Sequence, residues 1–173
     1  YPELPTAKYI FASRRVYQYP FLLKMSREEA LNVLTAYNGE LGQQLTVEEI
    51  FENLGLIADD YSKKMSVFGL DKNDIILQGK SIDRVKRFLD SIWEDIEKTL
   101  ASEKTLLLKY LEQEGITRNS AISVVDVGWR GSTHQAIKGL LNIDIDGYYL
   151  GSLKHMHKEI MNESYGYFFE LGY

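Results

Sequence analysis

The stretch "AISVVDVGWRGSTHQAIKGLLNIDIDGYYLGS", residues 121–152, constrains the fold more than any other part of the chain. It opens on the apolar, β-branched run "AISVVDV" and passes through two glycines and a hydroxyl pair. It then continues as "STHQAIKGLL", with apolar residues at helical spacing, and closes on "IDGYYLGS", again rich in strand formers. Strand, helix and strand within about 30 residues make a βαβ unit, whose right-handed crossover leaves its two strands parallel. A further strand is expected at "YGYFFE", beyond the polar "KHMHKEIMNES". A buried strand is also expected at "KYIFA", residues 8–12, with Pro20 interrupting any regular element in the "VYQYPFL" that follows.

Between these ends the pattern is helical. Ser26 with Glu29, and Thr46 with Glu49, match the capping arrangement in which a hydroxyl and a carboxylate satisfy the first amides of a helix. Apolar residues at helical spacing follow each pair, and Gly39, Gly55 and Gly69 stand where such helices would stop. From Ile82 through Val85, Leu89, Ile92, Ile96 and Leu100 to Leu107 and Leu111, one apolar face returns at steps of three, four or seven. One long helix or two abutting helices are therefore expected, ending at Gly115, with Trp93 as core packing beside that face. The organisation predicted is an α/β domain, a small parallel sheet built from residues 1–25 and 79–173, with a helical subdomain or insertion over 26–78.

A chain of 173 residues with 45% apolar composition can bury the core of one domain, or of a domain with a small subdomain. No apolar run approaches the roughly 20 residues of a membrane-crossing helix, and the start has no secretory-signal pattern, so a soluble protein is expected. The opening "YPELPTAKYIFASRR" reads as a linker leading into a strand, and the chain as a piece of a longer protein. Zero cysteine removes disulfides and thiolate chemistry and fits a reducing, cytoplasmic setting. The net charge of −5 argues against general affinity for nucleic acid, which is bound through clustered Lys and Arg. The charge is uneven, however. Residues 1–25 carry Lys8, Arg14, Arg15 and Lys24 against Glu3, whereas residues 26–60 set Arg27 against eight acids. A local basic spot in an acidic chain suits a small anion better than a polymer; in the plainer alternative, Arg14 and Arg15 cap or solvate the end of an element.

The loop 126–133 is where chemistry is expected. Gly128 and Gly131 let the backbone turn sharply and approach a ligand, and Ser132 and Thr133 stand at the start of the following helix. A helix start presents N–H groups and a partial positive charge, which suits phosphate or carboxylate. Arg130 offers a charge-assisted fork to the same anion, with Trp129 beside it. Asp126, at the strand's carboxyl end, is suited to sugar hydroxyls or to holding the loop's own amides. In open α/β sheets ligands sit beyond the carboxyl ends of the strands. Ser13, Arg14 and Arg15 after the first strand, and Gly151 and Ser152 with Lys154, His155 and His157 after another, are therefore expected to join this loop in one site. The loop lacks the third glycine of the dinucleotide fingerprint and the Gly-Lys-Ser/Thr of the triphosphate loop, and puts Trp129 and Arg130 where methyltransferases carry glycine. The three histidines, His134, His155 and His157, show no diagnostic metal spacing, and no nucleophile–base pair emerges. No cofactor or metal is assigned.

Together "LPTAKYIFASRR", "VVDVGWRGSTHQAI" and "IDGYYLG" resemble the region downstream of the phosphatase-like domain in large bacterial haloacid-dehalogenase-superfamily hydrolases encoded with glycosyltransferases for surface polysaccharide. The resemblance implies a Rossmann-like domain that handles a sugar phosphate or nucleotide sugar, joined to flanking domains of the same polypeptide. It transfers no catalytic residue. The superfamily's nucleophilic Asp-x-Asp ends a strand, whereas "IDID" at 143–146 precedes one, so any hydrolytic acid is expected outside these residues. Two alternatives stand beside a ligand-binding domain: a glycosyltransferase domain gripping a donor diphosphate with the same loop, and a non-catalytic interaction domain docking a neighbour domain or, as a homodimer, a second copy through the helical stretch 82–114.

Overall fold

The computed structural model describes residues 6–36, 45–76, 80–128, 130–153, 160 and 164–171. Along the chain run α1 (Arg14–Phe21), α2 (Arg27–Leu34), α3 (Val47–Leu54), α4 (Ser62–Val67), α5 (Lys80–Ser91) and α6 (Trp93–Gln113), then β1 (Ser123–Asp126), α7 (Ser132–Leu141), β2 (Asp146–Leu153) and β3 (Ser164–Leu171). Short 3-10 turns occupy Leu22–Lys24 and Ala58–Tyr61. The chain divides into two compact units, one from Tyr1–Gln18 with Leu107–Tyr173 and one from Tyr19–Leu106. None of the helices among the described residues is long and apolar enough to cross a membrane.

The sheet unit has the expected α/β architecture. Its three strands lie in the order β1-β2-β3, and both pairings are parallel. Val125 stands opposite Tyr148 and Asp126 opposite Tyr149, while Tyr148 pairs with Tyr165 across the other border of β2. Because side chains alternate along a strand, Asp126, Gly147 and Tyr149 share one face, and Val125, Tyr148 and Tyr165 the other. The first face is covered by α7, whose His134, Ala136, Ile137 and Leu140 are buried. Tyr149 and Ile160 form a buried pair there.

The segment 8–12 departs from expectation. It is not a strand, and Tyr9 and Phe11 are exposed, stacked edge to face at 5.6 Å. Strand-forming residues need a partner strand, and these are tied down by side chains instead. The Phe11 amide donates to the Tyr110 hydroxyl at 2.8 Å, Tyr17 Oη donates to the Phe11 carbonyl, and Lys8 pairs with Glu114 at 2.6 Å. The chain enters α1 directly, with the Ser13 hydroxyl accepting from the Val16 amide. Pro20 also falls inside α1 instead of breaking it, but in its last turn. It withholds one N–H from the ladder, and the helix stops at Phe21 and tightens into the 3-10 turn.

The helical unit follows its capping signals. Both capping boxes are formed: the Ser26 hydroxyl accepts from the Glu29 amide while Glu29 Oε2 accepts from the Ser26 amide at 2.9 Å, and Thr46 and Glu49 repeat the pattern at 2.7 Å. Gly55 closes α3 with φ 69°, and Gly69, φ 63°, follows α4; Gly39 lies outside the described residues. The stretch expected as one or two helices is two, meeting at Ile92. There the Ser91 hydroxyl donates back to the Phe88 carbonyl at 2.6 Å, and Lys64 donates to the Ser91 carbonyl at 2.8 Å. These bonds satisfy groups at the break. The apolar stripe of α5 and of α6 as far as Leu100 is consumed by the unit's core, with Val85, Phe88, Leu89, Ile96 and Leu100 buried among residues of α2 and α3, whereas Leu107 and Leu111 belong to the sheet unit. Trp93 packs there under the Arg27 guanidinium, 5.6 Å from its ring centre.

Candidate functional site

The β1–α7 junction is built as the sequence anticipates. β1 ends at Asp126, and Asp126 Oδ1 accepts from the Gly128 amide at 2.8 Å, which bends the chain away from the sheet within two residues. A Cβ on Gly128 would stand 3.2 Å from both Asp126 carboxylate oxygens, so the small residue fits the carboxylate that turns it. Asp126 thus holds the loop's own amide, one of the two roles expected of it. Arg130 is exposed. Gly131 is buried at φ 69°, in the left-handed region, and is the N-cap of α7. Having no side chain, it contributes no oxygen to the first-turn amides, unlike Ser26 and Thr46 in the helical unit. Ser132 and Thr133 follow in the first turn, half-buried.

The remaining expected residues are distributed as follows. Ser13, Arg14 and Arg15 lie at the amino end of α1, not at the carboxyl end of a strand, so the expected three-strand convergence loses its first strand. Their position matches the plainer reading, a helix start. Gly151 is buried in β2 and Ser152 follows it within that strand, which runs on to Leu153. Trp129, Lys154, His155 and His157 lie outside the described residues. Because the sheet is wholly parallel, the carboxyl ends of β1, β2 and β3 share one edge, and the loop at Asp126–Gly131 leaves from that edge.

Beneath the junction lies a polar cluster that sequence reasoning missed. His134, the third residue of α7, is fully buried; its Nε2 is 2.7 Å from the Ile145 carbonyl and its Nδ1 2.8 Å from the Tyr149 hydroxyl. A carbonyl only accepts, so Nε2 carries a proton and donates to Ile145; in the neutral ring Nδ1 then accepts from Tyr149. The two rings lie 6.3 Å apart and nearly parallel. Burial pushes the Tyr149 phenol well above its ordinary range and Asp126 adds to the rise. The Ser164 hydroxyl donates to the Ile160 carbonyl at 2.7 Å. Gly147 makes the cluster possible: a Cβ there would sit 2.5 Å from His134 Nδ1 and 2.7 Å from Tyr149 Cε2. The cluster thus ties the first turn of α7 to the approach and first half of β2. Ile145, Gly147 and Tyr149 lie 11 to 15 residues beyond His134 and obey no shared periodicity with it, so nothing short of the fold brings them to notice.

The junction brings the amino end of a helix, Ser132, Thr133 and Arg130 to the carboxyl edge of a parallel sheet, and a combination of helix dipole, hydroxyls and guanidinium suits an oxyanion. Among the described residues no group of three metal-ligating side chains gathers. The chain matches no protein-family model, no curated protein and no solved structure.

Proposed function

We propose that this chain is a ligand-binding α/β domain that recognises a sugar phosphate or nucleotide sugar at the β1–α7 junction, as part of a larger bacterial surface-polysaccharide protein. The observation that carries the reading is the start of α7 on a glycine N-cap, φ 69°, directly beyond the carboxyl end of β1 in a fully parallel sheet. That edge is where open α/β sheets hold their ligands. In this reading Arg130 neutralises the phosphate and the Ser132 and Thr133 hydroxyls with the first-turn backbone orient it. Asp126 acts one step back, by shaping the loop through the Gly128 amide.

Calorimetric titration with UDP-glucose and glucose 1-phosphate, and with glucose as the uncharged control, tests this. Both phosphorylated compounds are expected to bind and glucose not to. Arg130→Ala should weaken binding by roughly ten-fold, about 1.4 kcal/mol, the scale of one charge-assisted contact at a partly exposed site. Absence of heat with either phosphorylated probe on folded protein sinks the proposal.

A further inference from the structure

The face of the sheet turned away from α7 is bare. Val125 is 85% exposed and Val127 70%, and Tyr148, Leu150 and Tyr165 are each about half exposed, at 45%, 45% and 51%. The register lines up Val125, Tyr148 and Tyr165 in one row across all three strands, and the two tyrosine rings stack at 5.3 Å. Along this face the charged positions among the described strand residues are acidic, Asp146 at the amino end of β2 and Glu170, in register with Ser152, toward the carboxyl end of β3. Topology explains the bareness. In a sheet ordered β1-β2-β3, right-handed crossovers put both connections on the same side. α7 and Ile160 indeed both lie on the Tyr149 side, one in each connection. Yet wholly parallel sheets are stable with both faces covered, because their backbone and apolar side chains are buried from two directions.

From this geometry we infer that the Val125–Tyr148–Tyr165 face is the docking surface for a single amphipathic helix of a partner polypeptide. That helix carries an apolar stripe and a Lys or Arg on the flank that passes Asp146. Size decides between a helix and a second copy of the chain. Three strands about 4.8 Å apart, two side-chain rows deep, give a platform on the order of 200 Å². A stable interface between copies needs roughly 800 Å² from each. One helix, about 10 Å across, with apolar residues at i, i+3 or i+4 and i+7, spans the same platform in about two turns. Charge agrees: the Val125–Tyr148–Tyr165 row where the stripe would lie is uncharged, and the charged positions that the register puts beyond it, Asp146 and Glu170, are both acidic and so call for basic flanks on the helix.

The test is a display selection against the 173-residue chain, using a helical peptide library randomised at the stripe and flank positions. Enriched peptides should keep apolar residues at the stripe and a basic residue on one flank, with dissociation constants of about 1–100 μM. Tyr148→Lys and Val125→Lys should each weaken their binding by roughly ten-fold or more. Val67→Lys, on an exposed residue of the helical unit, should leave it unchanged. Circular dichroism establishes that each variant is folded, and Val125→Lys, at the most exposed position, serves if Tyr148→Lys is not. Failure to enrich, or enriched peptides indifferent to both face variants, overturns the inference. So does self-association by sedimentation that Tyr148→Lys abolishes, since the occupant would then be a second copy.

Discussion

Gly147 shows how much a single position in this chain carries. The residue has no side chain to offer, yet the space of its missing Cβ is occupied by the His134 and Tyr149 rings. Gly147→Ala must push one ring out of its place, and either movement breaks the His134–Tyr149 hydrogen bond. Overpacking of this kind costs about 1–3 kcal/mol. Urea unfolding should therefore show a lower midpoint with an unchanged slope. Tyr149→Phe separates the two contributions: it keeps the ring and leaves His134 Nδ1 buried without a donor, at a cost of about 1–3 kcal/mol. If Gly147→Ala were as stable as the parent chain, the packing described around His134 would be wrong.

At the scale of elements, local chemistry decided what could be read in advance. Both capping boxes, the exact span of α7, the strand after it and the glycine that ends α3 were legible because each depends on residues within one turn or one strand. The segment 8–12 was misread for the complementary reason. Its composition favours a strand, but strands exist only in pairs, and Phe11 finds Tyr110 instead of a neighbouring strand. The candidate site divides along the same line. The loop Asp126–Thr133 was visible as a local pattern, whereas the convergence of Ser13, Arg14 and Arg15 on it rested on that absent strand. The caps make a measurable prediction. Thr46→Ala removes the acceptor for the Glu49 amide and should cost about 1 kcal/mol. The other box titrates: hydrogen bonds from Ser26 hold the Glu29 carboxyl below its ordinary value of 4.5. A depressed carboxylate stabilises the fold above that value and loses its contribution as the pH falls below it. Stability should accordingly decline on acidification from about pH 5, and Glu29→Gln should show a shallower decline over the same window. Parallel acid-unfolding curves for the two proteins would refute the assignment.

For the whole molecule, the useful contrast is in where apolar surface has been removed from water. The helical unit concentrates it: Phe51 and Phe88 are fully buried with ring centres 5.9 Å apart, Phe51 meets Tyr61 at 5.2 Å and Phe88 meets Phe68 at 5.7 Å. The periodicity of α5 and α6 announced such a core, but not that it would gather nearly all of residues 19–106 into one unit, since that partition depends on contacts between distant elements. In the sheet unit the same kinds of residue stand in the open at Val125 and Tyr148. Hydrophobic character alone would rank these positions alike; burial ranks them far apart. Phe88→Ala should empty a packed site and cost about 3–5 kcal/mol, enough to unfold a marginal chain. Val125→Thr changes a side chain that already faces water, and should stay within about 0.5 kcal/mol of the parent. Measured side by side by chemical denaturation, a large loss at position 125 would mean that its face is already covered in solution, and the case for a vacant docking surface would fall with it.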